Sequence, residues 1–189
     1  MATLAITDVS SLARYGVKGA QAANWLAKHG VAIPNQPNSW VLSGQTLVMR
    51  LGSSEFLLED QLLENQLLEN QLLENQMIEN QTGGETCNKL LADTLRVPNV
   101  YKVPRADAAY LLAGSAVLNL LSELCALDLR ESALSENDVV MTQVAGISAT
   151  ILRQTLNNET VYRLWCDGTY KVYMQQVLDE IAVELGAAN

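Results

Sequence analysis

Apolar positions recur at helical spacing in four stretches and at strand spacing between them. Residues 18–29 read as a helix, with Ala22, Trp25, Leu26 and His29 at i, i+3, i+4 and i+7 and Gly30 as the stop. Residues 40–42 and 46–50 flank Ser43-Gly44-Gln45, which predicts a hairpin, and residues 55–58 read as a further strand. Residues 85–96 return to helical spacing, with Leu90, Leu91, Thr94 and Leu95 on one side and Pro98 blocking continuation. In the second half, residues 100–103 and 106–112 read as strands, and a helix runs from Gly114 to Leu124 with Val117, Leu120, Leu121 and Leu124 inward. Residues 128–137 read as a polar loop. Residues 139–144 and 147–153 flank Ala145-Gly146 as a second hairpin. Asn157-Asn158-Glu159 reads as a turn and residues 161–166 as a strand. Asp167-Gly168-Thr169 caps a last helix that ends at Gly186, with Val172, Val177, Ile181 and Leu185 inward.

Both halves therefore spell helix, hairpin, strand, helix. Residues 19–26 lie against 114–121 at an offset of 95, with Gly19 on Gly114, Asn24 on Asn119 and Leu26 on Leu121. The expected fold is α+β: one internally duplicated domain, residues 1–98 and 99–189, whose sheet faces are buried by the repeated unit.

Residues 57–81 break the pattern. They read Leu-Leu-Glu-Asp-Gln, then Leu-Leu-Glu-Asn-Gln three times, then Met-Ile-Glu-Asn-Gln. On an α-helix five residues turn about 500°, so each Leu pair lies about 140° from the last. On a strand an odd period changes face at every copy. A pentapeptide β-helix needs a small residue where this repeat has Gln, Asn or Asp. The tract is therefore expected to be an inserted low-complexity arm, exposed and helical or frayed, produced by tandem expansion. An arm for self-association is the functional alternative.

Charge follows the same division. The 189 residues hold 21 acids and 12 bases, a formal charge of −9. Eight acids and no base fall in residues 55–85, which leaves 13 acids against 12 bases elsewhere. The folded body is nearly neutral and has no basic cluster, so neither nucleic acid nor an anionic membrane is an expected partner. The stretch 108–127 is too polar to span a bilayer, and Met1-Ala2-Thr3-Leu4-Ala5 lacks the basic start of a signal peptide. A cytoplasmic protein is expected.

Candidate chemistry is sparse. Cys87, Cys125 and Cys166 are far apart, with no short metal spacing, and read as free thiols. His29, the one histidine, stands at a helix C-terminus, where the helix dipole favours it. No phosphate loop, dinucleotide fingerprint or nucleophile elbow occurs. Asp128, Glu131 and Asp138 read as solvated loop acids without an evident partner, and Trp25, Trp40 and Trp165 as core or interface residues. No catalytic residue and no metal ligand is nominated, and the cofactor-binding residues are unknown.

Several stretches are similar to the gamma subunit of heterotetrameric sarcosine oxidase. They are residues 12–19 (Leu-Ala-Arg-Tyr-Gly-Val-Lys-Gly), 111–116, 120–129, 142–147 (Thr-Gln-Val-Ala-Gly-Ile) and 162–170 (Tyr-Arg-Leu-Trp-Cys-Asp-Gly-Thr-Tyr). The resemblance spans nearly the whole chain except the repeat tract. It implies the fold of the aminomethyltransferase, or glycine-cleavage T-protein, folate-binding domain, itself a duplication. It also implies an accessory role in one-carbon metabolism, because in that oxidase the larger subunits hold the flavins, the NAD and the tetrahydrofolate site. No folate-contacting residue carries over. The expected function is a non-catalytic subunit that packs against a larger oxidase-like subunit or against itself. The alternative is a free-standing tetrahydrofolate-binding protein resembling an aminomethyltransferase.

Overall fold

The computed structural model of the protein describes residues 3–61, 85–94 and 96–186. It is α+β, and its contacts divide it into two units: Ser11–Arg105, and Met1–Ser10 with Ala106–Asn189.

In the Ser11–Arg105 unit the described strands are β2 (Arg14–Lys18), β3 (Ser39–Ser43), β4 (Thr46–Arg50), β5 (Glu55–Asp60) and β6 (Tyr101–Val103). They form an antiparallel sheet in the order β6-β2-β5-β4-β3. Strand β2 lies between β5 and β6, so four of its five residues are buried. A central strand buried on both faces shows no alternation, which is why residues 14–18 carried no strand signal. The helix expected over 18–29 is shorter: Lys18 pairs with Glu55 in the sheet, and α1 spans Ala22–Lys28. Seven residues are too few for an isolated helix. Tertiary packing supplies the difference, because Trp25 and Leu26 are buried against the sheet and each contributes about 1.5–3 kcal/mol.

Helix α2 (Thr86–Ala92) is likewise shorter than the 85–96 expectation. Asp93 is already extended, so the helix has room for one inward pair, Cys87 and Leu90. Leu91 and Thr94, placed on the inner side by the sequence pattern, are exposed. The last of the four, Leu95, lies outside the described residues.

Strand β5 runs two residues beyond Leu58, through Glu59 and Asp60, and Leu57, Leu58, Glu59 and Asp60 are all buried. The first copy of the pentapeptide thus ends a core strand instead of beginning an exposed arm. A strand already paired on both sides continues its ladder as long as its polar side chains find partners. The arm expectation for residues 62–81 lies outside the described residues.

The placement of the first copy has a testable consequence. Deleting residues 57–61 moves the next copy behind Phe56 and restores the same strand with Asn at the Asp60 position. Asp60 accepts from Thr46 Oγ1 at 2.8 Å and from the Cys87 backbone N–H at 3.0 Å. Asn supplies one acceptor oxygen where two are used, a cost of about 1–3 kcal/mol. We expect the deletion and Asp60→Asn to show the same urea midpoint. A deletion that unfolds the chain while Asp60→Asn does not would contradict this.

In the other unit, β1 (Ala5–Asp8), β7 (Asp107–Ala113), β8 (Val139–Val144), β9 (Ile147–Leu156) and β10 (Glu159–Asp167) form an antiparallel sheet in the order β1-β7-β10-β9-β8. Both hairpin turns use positive φ, at Ala145-Gly146 and at Asn157-Asn158. That conformation matches the twist of tightly paired strands, and Asn tolerates it better than most residues. Helices α3 (Val117–Leu124) and α4 (Lys171–Glu184) cover one face. The core there joins Tyr110, Leu112, Ile151 and Leu164 from strands to Leu120, Leu121, Met174 and Leu178 from helices. The inner face of α4 is Met174, Leu178 and Ala182, with Ile181 and Leu185 packed beside them. Val172, expected inside, is 81% exposed. Spacings of four and three follow the 3.6-residue turn, whereas the expected set opened with a step of five.

The register across each sheet can be followed residue by residue. Val41 pairs with Val48, Val48 with Leu58 and Leu58 with Tyr15. Val140 pairs with Ile151, Ile151 with Leu164 and Leu164 with Tyr110.

Candidate functional site

The residues with chemical potential are each held by a structural partner. His29 caps α1; its Nδ1 lies 2.9 Å from the Trp25 carbonyl oxygen, its Nε2 3.2 Å from Asp93 Oδ2, and its ring packs on Trp25. This agrees with the helix-terminus reading. Cys87, Cys125 and Cys166 are buried free thiols. Burial, and then the adjacent Asp60 carboxylate, push the Cys87 thiol far up, so it is a poor nucleophile. Burial raises Cys166 to about 11. Trp25, Trp40 and Trp165 are all buried. Asp167 caps a 3₁₀ turn, Gly168–Tyr170, by accepting from the Thr169 N–H at 2.9 Å. Among the described residues no group of three His, Cys, Asp or Glu side chains could hold a metal ion.

The loop acids do have partners, contrary to the sequence reading. Arg130 contacts Asp128 at 2.7 Å and, by hydrogen bonding, holds its carboxyl down at about 2. Glu131 pairs with Arg153 at 2.9 Å, and Asp138 accepts from the Ser135 N–H at 3.0 Å. These bonds close the loop on itself and on β9.

Two polar clusters were not visible in the sequence. In the first, Arg14 on β2 and Glu59 on β5 stand opposite each other in the ladder, 2.6 Å apart and almost fully buried. Asp60, one residue on, holds Thr46 and the start of α2. In the second, Arg163 is 1% exposed at the centre of β10 and donates from Nε to Gln154 Oε1 at 2.9 Å.

The outer face of α4 from Lys171 to Glu184 forms, with Asp8, a shallow and open depression on the surface. Lys171 Nζ is 2.7 Å from Asp8 Oδ2 at one end, and Tyr110 donates its hydroxyl to the Lys171 carbonyl at 2.9 Å. Burial raises the Asp8 carboxyl, but hydrogen bonds from Lys171 and Ser10 outweigh it and leave the group below its ordinary value. A carboxyl lowered by folding stabilises the fold above the unfolded-state value, near 3.9, and loses that contribution as pH falls through the folded value. The stability gap between the protein and Asp8→Asn is therefore expected to shrink between about pH 5 and about pH 2. Urea midpoints over that range test it; a constant gap is the contrary result.

No protein-family model matches the chain, and no curated protein does. Solved structures do. One is the heterotetrameric sarcosine oxidase of Corynebacterium sp. U-96 in complex with pyrrole 2-carboxylate, with TM-score 0.68 and 19% identity over 98% of this chain and 87% of that one. Another is the glycine cleavage system aminomethyltransferase T of Bartonella henselae, with TM-score 0.55 and 13% identity over 94% of this chain. This chain spans 45% of that second protein. Among the described residues no helix is long and apolar enough to cross a membrane. At these identities the likeness concerns architecture, and the chain has the fold that these two proteins share.

Proposed function

We propose that this chain is a non-catalytic accessory subunit, similar to the sarcosine oxidase gamma subunit, that packs against a larger oxidase-like subunit or against a second copy. The observation that carries this reading is the extent of the fold match. It takes in 98% of this chain and 87% of a chain from a heterotetrameric oxidase, but 45% of the aminomethyltransferase. A match of nearly whole chain to whole chain fits a subunit better than a fragment of an enzyme. The engagement of His29, Cys87 and Asp167 in caps and core agrees with it.

Internal duplication belongs to the same reading, and the register supports it. The row Val41, Val48, Leu58, Tyr15 has its counterpart in Val140, Ile151, Leu164, Tyr110, with the same burial at each place. Each sheet also takes its outer strand from beyond the repeat it serves: β6 beside β2, and β1 beside β7.

Size-exclusion chromatography and pull-down from native extract test the subunit role, which predicts co-elution with a larger chain or a dimer. A solitary monomer would overturn it. The alternative, a free-standing tetrahydrofolate-binding protein, draws on the aminomethyltransferase likeness. Titration with tetrahydrofolate separates the two: saturable micromolar binding favours the alternative, and no binding favours the accessory role.

A further inference from the structure

We infer that His29 and Asp93 form a proton-operated clasp that holds α2 to α1 and loosens as the imidazole loses its charge. The clasp is independent of the subunit role. Both ring nitrogens of His29 face acceptors: Nδ1 lies 2.9 Å from the Trp25 carbonyl oxygen, and Nε2 lies 3.2 Å from Asp93 Oδ2. A neutral imidazole has one N–H, so it donates to one of these and turns a lone pair on the other. With the proton on Nδ1, the lone pair meets the Asp93 carboxylate. With the proton on Nε2, it meets the Trp25 carbonyl. The imidazolium donates to both, and its charge also complements the carboxylate. Contact with the Trp25 ring, at a centroid distance of 4.3 Å, keeps the imidazole in that place. The His29 side chain is 34% exposed and that of Asp93 13%, so protons have access while the pair is partly withdrawn from solvent screening.

The clasp matters because α2 cannot stand on its own. Seven residues are too few to hold a helix, and its buried side chains are Cys87 and Leu90. Its start is fixed by the Cys87 N–H, which donates to Asp60 Oδ2 at 3.0 Å. Its end is fixed by Asp93, reached from His29, and by Lys102 Nζ, which donates to the Leu90, Leu91 and Asp93 carbonyl oxygens. The charged and titratable groups of the surrounding elements are Lys28 on α1, Tyr15 on β2, Asp93 at the end of α2 and Lys102 on β6. On α2 itself Lys89 and Glu85 pair with each other at the surface, 2.9 Å apart. Burial, and then the Asp93 carboxylate, push the Tyr15 hydroxyl up to about 12, so it stays neutral. Lys102 opposes a second positive charge, whereas Asp93 favours it at hydrogen-bond distance, and the nearer interaction is the larger. Imidazole is the side chain that changes charge between about pH 5 and 8. The clasp is therefore closed at the acid end of that range and weakened at the alkaline end. The opening is local, since Asp60 and Lys102 still hold the helix.

The chain has one histidine, so imidazole resonances in its nuclear magnetic resonance spectrum report on His29 alone. The test follows those resonances, and the amide exchange of residues 86–93 corrected for the intrinsic rate, at about pH 5.5 and about pH 8.5. It compares the full-length protein with His29→Gln and with Asp93→Asn. We expect both ring nitrogens to carry protons at the lower pH, and protection of residues 86–93 to fall about three- to tenfold at the higher. Protection of α3 should change by less than about twofold. Both variants should lose the pH dependence of α2. Protection of residues 86–93 that is indifferent to pH overturns the clasp. So does a dependence that survives undiminished in either variant, which would place the titrating group elsewhere. Near-ultraviolet circular dichroism checks that the variants fold. Should His29→Gln not fold, Asp93→Asn and the ring resonances decide, and a ring with a single protonated nitrogen at about pH 5.5 overturns the clasp.

Discussion

Glu59→Leu should destabilise the protein by about 3–5 kcal/mol, enough to unfold a marginal domain. Glu59 is fully buried, and its Oε2 sits 2.6 Å from Arg14 Nε. Removing the carboxylate takes away a counter-charge 2.6 Å from a guanidinium held in the sheet interior, and that cost, not the lost attraction, dominates. The pair itself is not expected to be a large net stabiliser, because burying two charges offsets most of what they gain from each other. The double variant Arg14→Met/Glu59→Leu should therefore recover most of the loss and end within about 2 kcal/mol of the native protein. Urea unfolding of the two single variants and the double variant measures this. Additive losses in the cycle would mean that the two side chains act separately.

The same residues show why part of the fold was legible and part was not. The hairpins at residues 39–50 and 139–156 could be read because their turns carry Gly44 and Ala145-Gly146 between apolar runs. Helix α3 was legible because its apolar positions keep a 3.6-residue spacing. Strand β2 was not, since burial on both faces removes alternation and Arg14 within it looks like a surface residue until Glu59 is placed opposite. Glu59 and Asp60 were grouped with the acidic tract because the tract repeats their sequence; burial distinguishes them, and composition does not record burial. The pairing of β1 with β7, across about a hundred residues, has no local signature at all. For the candidate site, the structural roles of His29 and Asp167 followed from their places beside helix ends. The outward face of α4 did not, because the sequence pattern put Val172 inside.

The second large effect concerns Gly19 and Gly114, and it tests the duplication directly. Both have positive φ, 123° and 107°, and both stand just before a helix. A Cβ on Gly19 would lie 2.1 Å from the Asn99 carbonyl oxygen, and one on Gly114 would lie 2.4 Å from the Thr3 carbonyl oxygen. Those carbonyls are themselves tied down: the Asn99 oxygen accepts from the Gln21 N–H at 3.1 Å, and the Thr3 oxygen from the Ala116 N–H at 3.0 Å. Each glycine is thus followed two residues later by the donor that holds the chain leading into β6 or β1. The clashing atoms are backbone, so the site cannot relax by turning a side chain. Left-handed strain of about 1–3 kcal/mol adds to a steric cost of about 1–3 kcal/mol. Gly19→Ala and Gly114→Ala should each cost about 2–6 kcal/mol, measured as thermal or urea destabilisation. If duplication makes the two positions equivalent, they should lose similar amounts, and each should free its own outer strand, seen as faster amide exchange in β6 for Gly19→Ala and in β1 for Gly114→Ala. A large loss at one glycine with tolerance at the other would mean that the shared geometry does not reflect a shared structural role.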